Sequence, residues 1–266
     1  MRPHRSLLRV AWVAIALCAA GADPLTFEVA SVKPSAAACP PSCGLIRSTV
    51  GGQGYHAEGA TLRSLMTVAY SVTDRQISGG PSWISADRFD IEAKPARPRS
   101  IDDLHVMLQD LLEDRFNLKL RHEMREESAL ALEVAKGGSK MPVHDTNDKD
   151  YAPMGIQPLT GSDGGICFAT IPGRNVTMKY FAFMLSRFLN RNVVDQTGLP
   201  ARYDVNLQFA PDGVHPTGPD GQPLPIGSDC SDVFYAMPKQ LGLQLEKARA
   251  PVEYLVVEHV EKPAEN

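Results

Sequence analysis

Beyond its first two dozen residues, this 266-residue sequence holds no apolar run long enough to cross a bilayer, which takes about 20 residues. Positive charge is scarce: 27 Lys and Arg stand against 31 Asp and Glu, a net of −4. That balance excludes a general polyanion binder such as a nucleic-acid protein, but not a local basic patch or a small ligand. Also missing are HExxH, GxSxG, SxxK and a Walker loop, the strong local signatures of hydrolases and nucleotide enzymes. A triad built across loops would be recognised by geometry alone and stays open. Past the N-terminal stretch the histidines are His56, His105, His122, His144, His215 and His259, and no two are spaced as a ligand pair. His105 and His122 read as exposed positions on or beside a helix. The stretch "HDTNDKD" (144–150) clusters oxygen ligands but lacks the Gly and closing Glu of a calcium loop, so it reads as a solvated turn. No metal site, no cofactor and no catalytic residue is expected.

The N-terminus is the plainest signal present. Arg2, Arg5 and Arg9 precede the short apolar run "VAWVAIALCAA", and Ala20-Gly21-Ala22 has the small-x-small form of a cleavage site. Residues 1–22 therefore read as a secretory signal cut after Ala22, with an uncleaved anchor as the competing reading. Leu17 before Cys18 speaks against lipidation, which wants a small residue there. Losing three of the 27 basic residues with the signal deepens the net charge from −4 to −7. Residues 23–266 are then a secreted or periplasmic α+β domain with no transmembrane segment. Export makes disulfides the default for Cys39, Cys43, Cys167 and Cys230. Four cysteines allow three pairings. Cys39–Cys43, closing "CPPSC" locally, and Cys167–Cys230 are the favoured set. A four-thiolate zinc site fits poorly, because C-x-x-C spacing is absent.

Hydrophobic periodicity places the elements. "LTFEVASVK" (25–33) reads as a strand ended by Pro34. In "TLRSLMTVAYSV" (61–72), Leu62, Leu65, Met66, Ala69 and Tyr70 form one helical stripe behind a Thr61 cap. A second helix opens at Ser100 and carries Ile101, Leu104, Leu108, Leu111 and Leu112. "FNLKL" and "LALEV" read as two strands, with "RHEMREES" as the solvated tip between them. Residues 138–175, rich in Gly, Pro, Asp and Asn, read as a long surface connection. "TMKYFAFMLSRFL" gives a third helix, "RYDVNLQF" a strand, and a short helix starts near Ser231. Pro238 conflicts with that last helix and predicts a split, the proline opening a final turn. "LQLE" and "YLVVEHV" read as closing strands.

The sequence also echoes itself. "GGPSWISADRFDIEAK" (79–94) and "VVDQTGLPARYDVNLQ" (193–208) both pass a Gly-containing turn into Arg, aromatic, Asp, β-branched residue. Thr61 matches Thr177, and residues 115–136 match 240–261 at a constant offset of 125. This order predicts a duplicated unit, with halves at about 57–137 and 176–262, each packing helices on a small mixed or antiparallel sheet. Arg88 with Asp90, and Arg202 with Asp204, lie two apart on a strand face, where solvated ion pairs are the ordinary outcome. As a site they would hold a carboxylate or sugar hydroxyls. Trp83 reads as a capping aromatic over the core, with a ligand platform as the alternative.

"FEVASVKPS", "GGPSW…RFDIEAK", "LLEDRFNLKL", "VVDQTGLPARYDVNL", "QLGLQLE" and "VVEHVEKPAEN" together resemble a soil-associated bacterial family of unknown function, abundant in acidobacterial genomes. The resemblance spans nearly the whole chain after the signal. Some members of that family carry the domain behind a sensor-type metallopeptidase region, to which nothing here is similar. The half-repeat pattern is also loosely similar to the small α/β modules at the N-termini of secretins and TonB-dependent receptors, an analogy of fold alone. The resulting expectation is a non-catalytic binding or interaction module of the cell envelope, taking an unknown envelope protein or a small ligand. A half-exposed sheet edge would suit a partner strand. The alternatives are an extracellular hydrolase with a site built from loops 34–56, 138–175 and 210–228, or a regulator of an envelope peptidase. Asp, His and Ser side chains converging beneath those loops would favour the hydrolase.

Overall fold

In a computed structural model, which describes residues 25–35, 44–49, 52–144, 157–160, 166–210, 222 and 231–263, the chain is a mixed α+β protein. Its first part runs β1 (Val29–Pro34), β2 (Ile46–Ser48), β3 (Tyr55–Thr61), α1 (Leu62–Ala69), β4 (Ile77–Gly79), α2 (Trp83–Ala86), β5 (Arg88–Lys94), α3 (Ile101–Phe116) and β6 (Lys119–Val134). The rest runs β7 (Gln157–Thr160), β8 (Ile166–Val176), α4 (Met178–Leu189), β9 (Val193–Asp195), β10 (Tyr203–Phe209), α5 (Val233–Gln240) and β11 (Leu243–His259).

The strands form three sheets, ordered β1-β5-β3-β2, β10-β8-β7 and β4-β11-β6-β9. The first two are antiparallel. The third is mixed: β6 and β11 run antiparallel along nearly their full length, while β4 joins β11 and β9 joins β6 in parallel. The partners are crossed in sequence. β4, from the first part, pairs at Leu255–Val257; β9, from the second, pairs at Leu130–Leu132.

Capping side chains start the helices where the sequence places them. Thr61, Ser100, Thr177 and Asp232 each accept a hydrogen bond from the backbone N–H three residues on. The α1 residues Leu62, Leu65, Met66 and Ala69 are buried, as is the α3 stripe. α4 buries Met178 and every residue from Tyr180 to Ser186, so it is an interior helix apolar almost all round. One contiguous cluster joins these helices to all three sheets. α3 and α5 both lead into a long strand through a left-handed residue, Asn117 (φ 46°) and Gly242 (φ 67°). At Gly242 a Cβ would lie 2.0 Å from the Gly138 carbonyl oxygen, so the turn demands glycine.

Several expectations are corrected. The end of "FNLKL" (Lys119 and Leu120) and "LALEV" belong to one strand, β6, and "LQLE" and nearly all of "YLVVEHV" to one strand, β11; "RHEMREES" is no hairpin tip. That segment holds no Gly, Pro, Asn or Asp to turn on, and its charges pair along and across the ribbon. His122 lies 2.7 Å from Glu253, Arg121 2.9 Å from Glu258 and Arg125 2.6 Å from Glu123. Residues 138–175 are not all connection, since they carry β7 and nearly all of β8. β4, β9 and the single turn α2 are too short to show a period. Pro238 does not split α5 but sits inside it. His105 is buried, at 6 % exposure, because α3 turns it beneath Tyr55 and Tyr180. Cys39, Cys43 and Cys230 lie outside the described residues, and no disulfide is seen among those described; Cys167 falls on β8.

Candidate functional site

The α1–β4 and α4–β9 connections meet over the middle of the β6–β11 ribbon, and side-chain amides pin each of them there. After α1, a 3₁₀ turn at Asp74–Gln76 buries Gln76. Its Oε1 accepts from the Thr73 N–H at 2.8 Å, and its Nε2 donates to the Glu253 carbonyl of β11 at 2.7 Å. After α4, capped by left-handed Asn190, Asn192 does the matching work on β6. Its carbonyl accepts the Leu130 N–H at 2.8 Å, and its side-chain amide donates to Glu127 at 3.3 Å. Buried Ser186 closes that connection by accepting the Val193 N–H at 2.9 Å.

Between these walls lies a seam of three hollows sharing lining residues. The largest, about 570 Å³, falls within the roughly 300–1,000 Å³ of small-molecule sites. Arg75, Arg191 and Lys247 line it, together with Glu127, Asn190, Asn192 and Tyr254. The Arg125 guanidinium lies 4.1 Å over the Tyr254 ring and holds it in place. Burial, and behind it a hydrogen bond to Glu127, raise the Tyr254 hydroxyl above its ordinary pKa. It stays neutral near pH 7, with its one proton given to Glu127. The cavity thus offers cations, amides and a phenol, the groups that orient a polar ligand.

A second constellation lies deeper. Ser71, left-handed at φ 54° just past α1, has its Oγ 3.3 Å from His105 Nδ1. Tyr55 stacks on His105 and Tyr180 tilts against it. Burial lowers the His105 pKa to about 4, against an upward pull from the Asp102 carboxylate. A base that weak removes little proton from a serine at neutral pH. Asp102 itself is held by Arg202 at 2.6 Å. Ser71 follows α1, Tyr55 is on β3, Asp102 and His105 are on α3, and Tyr180 is on α4.

The candidate binding residues Trp83, Arg88, Asp90, Arg202 and Asp204 line none of these hollows. Trp83 stacks on Phe116 and meets Phe89 edge-on, with Lys262 5.8 Å from its ring. Arg88 donates to the Gly59 carbonyl at 2.8 Å, and Asp90 accepts the Gly59 N–H at 2.7 Å. Arg202 donates to the Asn175 carbonyl at 3.3 Å, and Asp204 accepts the Asn175 N–H at 3.0 Å. Gly59 and Asn175 are both left-handed, at φ 59° and 58°. Asp204 also lies 2.7 Å from buried His144 Nδ1. Each Arg–Asp pair therefore clasps a left-handed residue in the backbone of a neighbouring strand, on two different sheets. The seam residues form no motif in the sequence. One signal was present: Arg75 follows Thr61, and Arg191 follows Thr177, by the same 14 residues (75 − 61 and 191 − 177).

Among the described residues no helix is long and apolar enough to cross a membrane, and no group of three or more His, Cys, Asp and Glu is placed to hold a metal ion. No curated protein and no solved structure matches the chain. A family model described as a protein of unknown function, DUF3738, matches residues 63–260, from α1 to the end of β11 and so across both walls of the seam. The chain belongs to the DUF3738 family.

Proposed function

We propose that this chain is an exported, non-catalytic binding module of the cell envelope and that its ligand sits at the seam. The observation that carries this reading is the cavity of about 570 Å³ walled by two connections, each pinned to the central ribbon by a side-chain amide. A rigid, polar, ligand-sized hollow is what a binding protein needs. The N-terminal pattern at residues 1–22 supports export and with it an envelope setting. We read the two parts as a duplicated unit, supported by the shared element order, the paired clasps at Gly59 and Asn175, and the crossed β4 and β9 pairings.

Strand addition is a weaker route to a partner. The ribbon edge carries Pro251, and the Glu126 and Glu253 carbonyls are occupied by Arg249 and Gln76 side chains. Such devices blunt an edge. The hydrolase reading is favoured by the Ser71–His105 contact alone.

The test is a melting screen of the full chain against envelope-derived small molecules and peptides, with recovery of each compound by mass spectrometry. The expected result is a saturable rise in Tm with the compound recovered intact, lost in Tyr254→Ala. A cleaved compound, with cleavage abolished in Ser71→Ala, would establish the hydrolase instead. A library that leaves Tm unmoved counts against any ligand at the seam.

A further inference from the structure

We propose that the seam cavity binds a small organic polyanion, a molecule bearing two or more phosphate or carboxylate groups, through Arg75, Arg191 and Lys247. This rests on the binding reading above and adds the ligand's chemistry.

The argument begins with charge. Three cations line the cavity against the one carboxylate of Glu127, which is engaged by Asn192 and the Tyr254 hydroxyl. The chain as a whole carries −4, so this hollow runs against the sign of the molecule. A cleft of one sign with low-dielectric walls concentrates the oppositely charged ligand.

Pairing separates these cations from others on the surface. Arg121 and Arg125 are taken by carboxylates on the same ribbon, Arg202 by Asp102 and Lys262 by Asp87. The side chains of Arg75, Arg191 and Lys247 have no ion pair or hydrogen bond among the described residues. Arg191, two residues past the end of α4, also suits the negative end of that helix. That role explains neither Arg75, on the 3₁₀ turn, nor Lys247, on β11. The three come from elements far apart in sequence and converge on one hollow.

Size sets the rest. A cavity of about 570 Å³ exceeds a bare phosphate or acetate and suits an organic body with its acidic groups spread toward separate cations. The amides of Asn190 and Asn192 line the same hollow as hydrogen-bonding groups for that body, and the Tyr254 oxygen accepts.

The test uses calorimetric titration of the full chain with citrate, glucose 1,6-bisphosphate and uncharged glucose at low salt. At least one anion is expected to bind tenfold or more tightly than glucose. Arg191→Glu and Lys247→Glu are each expected to weaken that anion at least tenfold, with circular dichroism and melting unchanged. Lys33→Glu, on β1 away from the cavity, is expected to leave the affinity as it was. Glucose binding as tightly as the anions, or anion affinity indifferent to both charge reversals, would overturn the polyanion proposal while leaving a ligand at the seam. No binding by either anion would also overturn it, and the melting screen then decides separately whether any ligand binds.

Discussion

His105 shows how one buried side chain ties stability to pH. It faces Tyr55 from β3, Ser71 past α1, Asp102 from its own helix, and Tyr180 and Lys179 from α4. Burial, the larger influence, drives its pKa from 6.5 to about 4. The folded form therefore binds fewer protons than the unfolded form between those values, so stability is full above pH 6.5 and is lost as pH falls toward 4. The size of that loss is on the order of 3 kcal/mol. His105→Leu is expected to flatten the fall between pH 6.5 and 4 by about that amount, read from urea denaturation at stepped pH. Glu92, held low chiefly by its hydrogen bond to His56, adds an acid sensitivity of its own that this substitution leaves in place. The Arg88–Asp90 and Arg202–Asp204 pairs carry a different lesson at the same scale. Their residue types and spacing were visible in the sequence, but not their partners, because the backbone each clasps is supplied by a strand some 30 residues away.

Among the elements, α5 is where propensity and packing disagree. Pro238 removes the N–H that would reach the Phe234 carbonyl. The helix persists because the missing bond falls in an eight-residue helix already fixed at its start by the Asp232 cap and at its end by Lys140, which donates to the carbonyls of Pro238 and Lys239 at 3.1 and 2.9 Å. Pro238→Ala should raise stability by about 1 kcal/mol, less than the full helix-interior difference, because the proline also restricts the unfolded chain. Chemical denaturation of the two proteins side by side checks it. β6 and β11 disagree with the sequence reading in the opposite sense. Their charged middles break the apolar pattern that marks a strand, yet among the described residues each strand is the other's only long partner, and the ladder of opposite charges across them needs both.

At the scale of the whole molecule, the crossed strands decide how the protein folds. β4 completes the edge of β11, and β9 completes the edge of β6, so each part of the chain covers the edge of the other part's long strand in one shared sheet. Separated segments 25–144 and 157–263 would each leave a long strand, and the apolar face beneath it, without a partner. Neither is expected to show a cooperative thermal transition alone by circular dichroism, whereas mixing the two should restore one. Two independent melts would show that the central ribbon does not join the parts into one cooperative unit.

Helices and their caps were legible in the sequence because a stripe of apolar residues at helical spacing and a Ser, Thr or Asp before it are local facts. So was the α+β class. Family membership, too, lies in the sequence, carried by residues 63–260. The seam was not legible. Arg75, Arg191 and Lys247 are ordinary surface residues in their own segments, and their meeting depends on two three-residue strands too short to leave a period. Those strands are held by the edges of β6 and β11, partners more than 60 residues away. Local composition sets which segments can be helix or strand, but the free energy that chooses among strand partners comes from burying their shared apolar faces, and that exists only once the chain has closed on itself.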